Sequence, residues 1–403
     1  MSTSTPLAPP TGAPSSLRAG LRHPVALTRW FSRAYLTPGE PGRPTTQQEL
    51  RWIYSAWLLA FALKMVGSSW DVSWHFRWLR DDLAPPHLLN SAGTALVVAL
   101  VLFSSYTGRG VDRRALRLMQ AGIGTFLVAI PVDLVNHRVN GLDITSWSPS
   151  HALLYLGTAI MLAGALRGWW LYAAPGRVRA LVSLGLWLFF VENVLFPNQH
   201  QEYGVLSLAD HRAGRTTAEP QLLDFAASQG QSPEQFMLPV PSWVHPAWLV
   251  CAGLLALVVA RRTVGLRWTA TAVAGTYLAY RAVSWVLLTS TGFPPSVLPV
   301  MLLAGAVLVD LAVTARVPGW LAALPVTAGV ALAALAQASV GVIPPWDWAA
   351  VPFIAVGFAV LWGGADRLTA SRAFARWQAP VEPAPGRPDD TPVPAAGSGA
   401  SAR

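Results

Sequence analysis

Ten apolar, nearly uncharged runs of about 20 residues recur along the chain, and they limit its fold more than any other feature. They cover 52–70, 86–106, 117–137, 150–173, 178–196, 243–261, 267–289, 296–314, 319–340 and 346–364. As a helix, each run is long enough to cross the ~30 Å hydrocarbon core of a bilayer. In hydrocarbon every backbone N–H and C=O must find its partner within the protein, so such runs form helices. The expected fold class is therefore all-α integral membrane, with about ten transmembrane helices. Composition agrees: 53% of residues are hydrophobic and 12% charged, against ~25% charged in an average soluble domain. A mean hydropathy of +0.41 excludes a soluble globule and a disordered chain. Cys251 is the single cysteine, which excludes a small disulfide scaffold.

The runs divide the chain into three parts. Residues 1–50 hold no apolar core of the signal-peptide kind. Within them, 17–36 interleaves four arginines with Leu, Val, Trp and Phe. It reads either as a basic amphipathic segment on the membrane surface or as an unstructured arm. Residues 51–365 form the transmembrane domain, with helical hairpins over 51–173 and a long outer loop over 197–242. Residues 366–403, rich in Pro, Ala and Gly towards the end, are expected as a disordered tail.

Orientation follows from arginine. The net charge of +9 comes from 28 Arg and Lys64. With the N-terminus inside, the inner segments hold 22 Arg and the outer loops five: Arg77, Arg80, Arg138, Arg212 and Arg215. The positive-inside bias then puts both termini in the cytoplasm of a multi-pass cell-membrane protein. It also explains the charge without nucleic acid, for which no motif is present.

The outer turns resemble one another. APPHLLNSAG (84–93), SPSHALLYLG (148–157), VPSWVHPAWLVCAG (240–253), FPPSVLPVMLLAG (293–305) and IPPWDWAAVPFIAVG (343–357) each carry Pro at the opening of a span and Gly one to two turns into it. Small residues there let helices approach closely. The pattern reads as an internal repeat of five related helical hairpins, weakest in the last two.

The first two hairpins carry chemistry. Asp71, His75 and His87 follow Asp-x3-His-x11-His; Asp133, His137 and His151 follow Asp-x3-His-x13-His. A spacing of four puts each Asp and its first His on one helix face. The second His follows a Pro turn at the start of the returning helix. There the positive helix end disfavours imidazolium and so favours the neutral ring that metals bind. Two imidazoles and a carboxylate suit Cu(II), Fe(II) or Zn(II). A histidine in a membrane hairpin also serves for packing, but six ionisable residues in matched sets at membrane depth point to function.

Other residues carry less weight. Glu192, His200 and His245 resemble a third, degraded set. Lys64, seven residues before Asp71, has the spacing to pair with it or to snorkel. Arg281 and Asp310 lie within spans and have each other or the acidic residues above as partners. Arg80, Asp81 and Asp82 are second ligand-supporting candidates or solvated loop charges. Trp70, Trp74, Trp78 and Trp147 fit an interfacial belt that also limits water access.

Over about residues 50–160 the chain resembles the C subunit of the copper membrane monooxygenases, the particulate methane and ammonia enzymes. DVSWHFRWLRDDLAPPH (71–87) resembles that family's Asp-x3-His-x12-His motif, including Trp74-His75, Arg80-Asp81 and the Pro before His87. DLVNHRVNGLDITSWSPSH (133–151) has the spacing of its Asn-x3-His-x13-His motif, and Pro149-Ser150-His151 matches the PSH of the first. The first spacing is one residue short, and Asp133 stands where the family has Asn. The resemblance implies two copper sets, Asp71/His75/His87 and Asp133/His137/His151, near a site that oxidises a small apolar substrate with O2. It also implies partner subunits of the monooxygenase type. The alternative is a non-catalytic membrane protein that handles copper or another divalent metal, or assembles an extracytoplasmic metalloenzyme, with a copper chaperone as partner. Few methionines and one cysteine argue against a Cu(I) carrier.

Overall fold

The computed structural model describes residues 36–79, 83–140 and 145–379. Most of the expected surface segment 17–36, the charged triplet Arg80-Asp81-Asp82 and the end of the tail lie outside the described residues. Within them the chain is all-α, and seven helices are long and apolar enough to cross a membrane.

Helix α1 (Gln47–His75) opens with a capping box. The Thr46 hydroxyl accepts from the Glu49 amide while the Glu49 carboxylate accepts from the Thr46 amide at 2.9 Å. α2 (Pro85–Thr107) starts on two prolines, which supply no amide where none is needed, and stops at Gly108, whose φ of 69° is left-handed. Asp112 accepts from the Ala115 amide at 2.8 Å at the head of α3 (Arg113–Asn140). Ser148 caps α4 (Pro149–Tyr172). α5 (Arg177–Arg212) is followed by short α6 (Pro220–Ser228) and α7 (Pro233–Met237). α8 (Val244–Val264) contains a π-helical stretch at Leu249–Leu254. Then come α9 (Thr269–Ser290), α10 (Val300–Thr314), α11 (Gly319–Val340), α12 (Val351–Thr369) and α13 (Arg372–Gln378).

α5 stands between two apolar cores. One, around Trp57, Phe61, Met119, Met161 and Trp169, joins α1–α4 to its near face. The other, around Leu254, Tyr277, Met301, Phe358 and Trp362, joins α8–α12 to its far face. A third cluster, with Phe76, Phe196, Tyr203, Leu222 and Phe236, caps one end. α1 meets α2, and α3 meets α4, along glycines. A Cβ on Gly93 would lie 2.8 Å from the Ala60 carbonyl oxygen, and one on Gly157 2.7 Å from the Phe126 nitrogen.

Three sequence readings change here. The segment 197–242, expected as a loop, continues α5 without a break past Pro197 to Arg212 and then forms α6 and α7. Its polar run Asn198-Gln199-His200-Gln201-Glu202 is buried, because α7 and the start of α8 cover it. The eighth run becomes only a 15-residue helix, since Pro294, Pro295 and Pro299 keep 293–299 irregular. The described part of the tail is helical rather than disordered: Ser371 caps α13, Arg114 donates to the Arg376 carbonyl at 2.7 Å, and the Arg167 guanidinium lies over Trp377.

Candidate metal site

Asp71 and His75 occupy the last turn of α1, one turn apart. His87 is the third residue of α2, just after Pro85 and Pro86. α2 packs back along α1, so the three side chains meet. His75 Nε2 lies 3.3 Å and His87 Nε2 2.8 Å from Asp71 Oδ1. The imidazole centroids are 5.9 Å apart. Ligand atoms of all three residues fall within 4.8 Å of one another, the one such group of three among the described residues. Asp71 Oδ1 is buried with the two imidazole nitrogens beside it. Donors at ~2.1 Å from a tetrahedral ion would be about 3.4 Å apart, so the arrangement fits a cation. The side chains keep 20–25% exposure, so the cluster is reachable from the end of the bundle.

The second set is built alike but is otherwise engaged. His151 is the third residue of α4, the position that His87 holds in α2. Its Nε2 lies 3.8 Å from Asp133 Oδ1 and its Nδ1 2.8 Å from the Thr145 carbonyl. The Ser150 hydroxyl donates to Asp133 Oδ1 at 2.8 Å. His137 is helical in α3, and its side chain lies outside the described structure.

The first set and, of the second, Asp133 and His151 face one cavity of about 190 Å³. Asp71, His75, His87, Asp133 and His151 give it a polar wall; Phe61, Met65, Phe126, Leu162 and Phe189 give it an apolar one. Glu192 of α5 also lines it, accepting from Gln199 Nε2 at 3.2 Å and from the Ser69 hydroxyl at 3.4 Å. Lys64 points into the same space but does not pair with Asp71. Its ammonium donates to Asn90 Oδ1 at 2.9 Å and Thr94 Oγ1 at 3.0 Å and sits 3.7 Å from the Phe126 ring centroid. The reason is local: Gly93 brings α2 so close that the lysine stem runs along it.

The remaining candidates scatter. Glu192 and His200 line the cavity, with His200 Nε2 3.1 Å from the Phe236 carbonyl. His245 faces Glu202 instead, at 3.6 Å, so the three do not converge. Glu202 was hidden from sequence inspection by its polar surroundings; the signal was the lack of a turn between Pro197 and Gly214. It pairs with Arg281 at 2.6 Å, both buried, and Arg281 donates on to the Ser296 hydroxyl at 2.6 Å. Asp310 pairs with Arg261 at 3.1 Å rather than with Arg281. Trp70, Trp74 and Trp78 gather around Phe293 and do not line the cavity; Trp147 stacks edge-on with Trp248.

Comparison with protein-family models, curated proteins and solved structures returns no match.

Proposed function

We propose that the chain is a metal-binding protein of the cell membrane. In this reading it has ten spans in five related hairpins, both termini in the cytoplasm and its metal site at the extracytoplasmic end. Asp71, His75 and His87 hold the ion, and Asp133 and His151, with His137, form a second position on the same cavity. The observation that carries the reading is the convergence of three ligand atoms within 4.8 Å on a cavity that Asp133 and His151 also line. Copper is the metal of choice because of the motif resemblance; iron and zinc use the same donors.

The activity proposed is that of a copper monooxygenase subunit acting on a small apolar substrate. Its support is the apolar wall that faces the ligand cluster across a cavity too small for a bulky molecule. In such a reaction one oxygen atom enters the substrate and the other leaves as water. The two electrons and two protons that this needs come from a donor outside the chain, a role for a partner subunit. A second reading, metal handling for an extracytoplasmic enzyme, is favoured by the partial exposure of His75 and His87, which would let an ion exchange.

The test is metal analysis of copper-loaded protein purified in detergent, for wild type, His75→Ala, His87→Ala and the double variant. Loss of metal with unchanged yield is expected. Equal metal in all four rejects the site. Copper retained through chelator dialysis favours the catalytic reading, and copper released to the chelator favours handling.

A further inference from the structure

A second cavity, of about 620 Å³, opens on the flank of the bundle between α4, α5 and α8. Leu156, Trp187, Phe190, Val194, Leu255 and Val259 line it, and no charged side chain does. Its three walls are helices long and apolar enough to cross a membrane, and an uncharged flank on such helices suits contact with lipid. The groove also adjoins the metal cavity. Ser146, Tyr155 and Asn193 line both, so the partition between them is one side chain thick.

Tyr155 is that partition. Its hydroxyl donates to the Ser146 carbonyl at 3.2 Å, Asn193 Nδ2 donates to its own carbonyl at 3.0 Å, and its ring lies 5.2 Å from that of Phe196. The backbone bond fixes the residue, and the hydroxyl bond together with ring contacts to Phe196 and His151 holds the side chain between the two spaces. Rotation of the Tyr155 side chain out of these contacts would join the two spaces.

We propose that the groove is a binding site and lateral passage for a small apolar molecule dissolved in the bilayer, which reaches the metal cavity past Tyr155. The occupant is a small molecule rather than a lipid tail because the cavity beyond the shared wall holds only about 190 Å³, with Phe126 and Leu162 on its apolar side. The inference rests on the metal-site reading for its purpose, though not for its geometry.

A short alkyl diazirine, photolysed with the protein in lipid nanodiscs and mapped by peptide mass spectrometry, tests it. Wild type is expected to carry adducts at Trp187 and Leu255 in the groove and at Phe126 and Leu162 in the cavity. Ala159→Trp and Ala252→Trp, which fill the groove from α4 and from α8, should abolish the two inner adducts. Tyr155→Phe should raise them, and Leu332→Trp on exposed α11 should leave them at the wild-type level. Absence of inner adducts in wild type overturns the passage, as does their persistence in both groove variants. Metal content of the same samples separates the two ideas. Inner adducts without metal keep the passage and reject the metal site; metal without inner adducts does the reverse.

Discussion

Lys64 is the only lysine of the chain and is buried against neutral partners, two oxygen acceptors and an aromatic face. A buried ammonium is tolerated only while its hydrogen bonds hold. Asn90→Ala removes one acceptor and strands the charge, at a cost of about 1–3 kcal/mol. Lys64→Met removes the charge and keeps the volume, so it should cost less than Asn90→Ala. Thermal midpoints in detergent check the order, and a reversed order would mean that Lys64 is held by something other than Asn90 and Thr94. Asp133 allows a second residue-scale test. Ser150 donates to its Oδ1, and an asparagine oxygen can accept that bond too, though more weakly than a carboxylate. Asp133→Asn should therefore leave both stability and metal content at the Asp71 cluster near wild type. A clear loss of metal would show that the second carboxylate balances the charge of the ion.

The first set was legible because its geometry is local. A four-residue spacing, a nine-residue connection and a Pro-started helix bring Asp71, His75 and His87 together within one helical hairpin. The second set was legible only in part: nothing in the spacing shows that Ser150 engages Asp133 or that His151 Nδ1 meets the Thr145 carbonyl. The continuation of α5 was not legible, because a run of Asn, Gln, His and Glu looks solvated until α7 and α8 bury it. The spacing glycines were visible as a pattern, but their weight was not. Backbone atoms of the facing helix press on Gly93 and Gly157, whereas the nearest neighbour of Gly357 is Cys251 Sγ at 3.7 Å. Gly157→Ala should thus push α3 and α4 apart and cost about 1–3 kcal/mol, the range for overpacking a tight contact. Gly357→Ala should be neutral or slightly stabilising, since Ala is the better helix former. Thermal unfolding of the two variants side by side decides it; equal losses would mean that the α3–α4 contact is no tighter than the Gly357–Cys251 one.

At the scale of the molecule, the shared cavity could not be read from the sequence, because it exists only where five helices diverge. Topology is different: the fold reduces it to two choices, and the proposed one, with 107–116 in the cytoplasm, rests on the arginine count. The segment 36–46 is tied to the α2–α3 turn through Gly39 and Gly42 amides, which donate to the Tyr106 and Val111 carbonyls at 3.0 and 2.8 Å. The end of the described tail is tied to the same place, where Arg114 and Arg167 donate to the Arg376 and Ala379 carbonyls. So 36–46, 107–116 and 372–379 lie at one end of the bundle and the candidate metal site at the other. Asp112, Asp310 and Asp366 neutralise Arg167, Arg261 and Arg262 at that end, but acidic partners contribute little to orientation, which follows the number of basic residues. The split of 22 arginines to five therefore still applies. In a Cys251→Ser background, Arg113→Cys should be protected from a membrane-impermeant maleimide in intact cells and labelled after permeabilisation. Ser228→Cys, exposed on α6, should be labelled in both. The opposite pattern would invert the protein and turn Asp71, His75 and His87 towards the cytoplasm, where soluble metal-handling proteins rather than extracytoplasmic ones would meet the site.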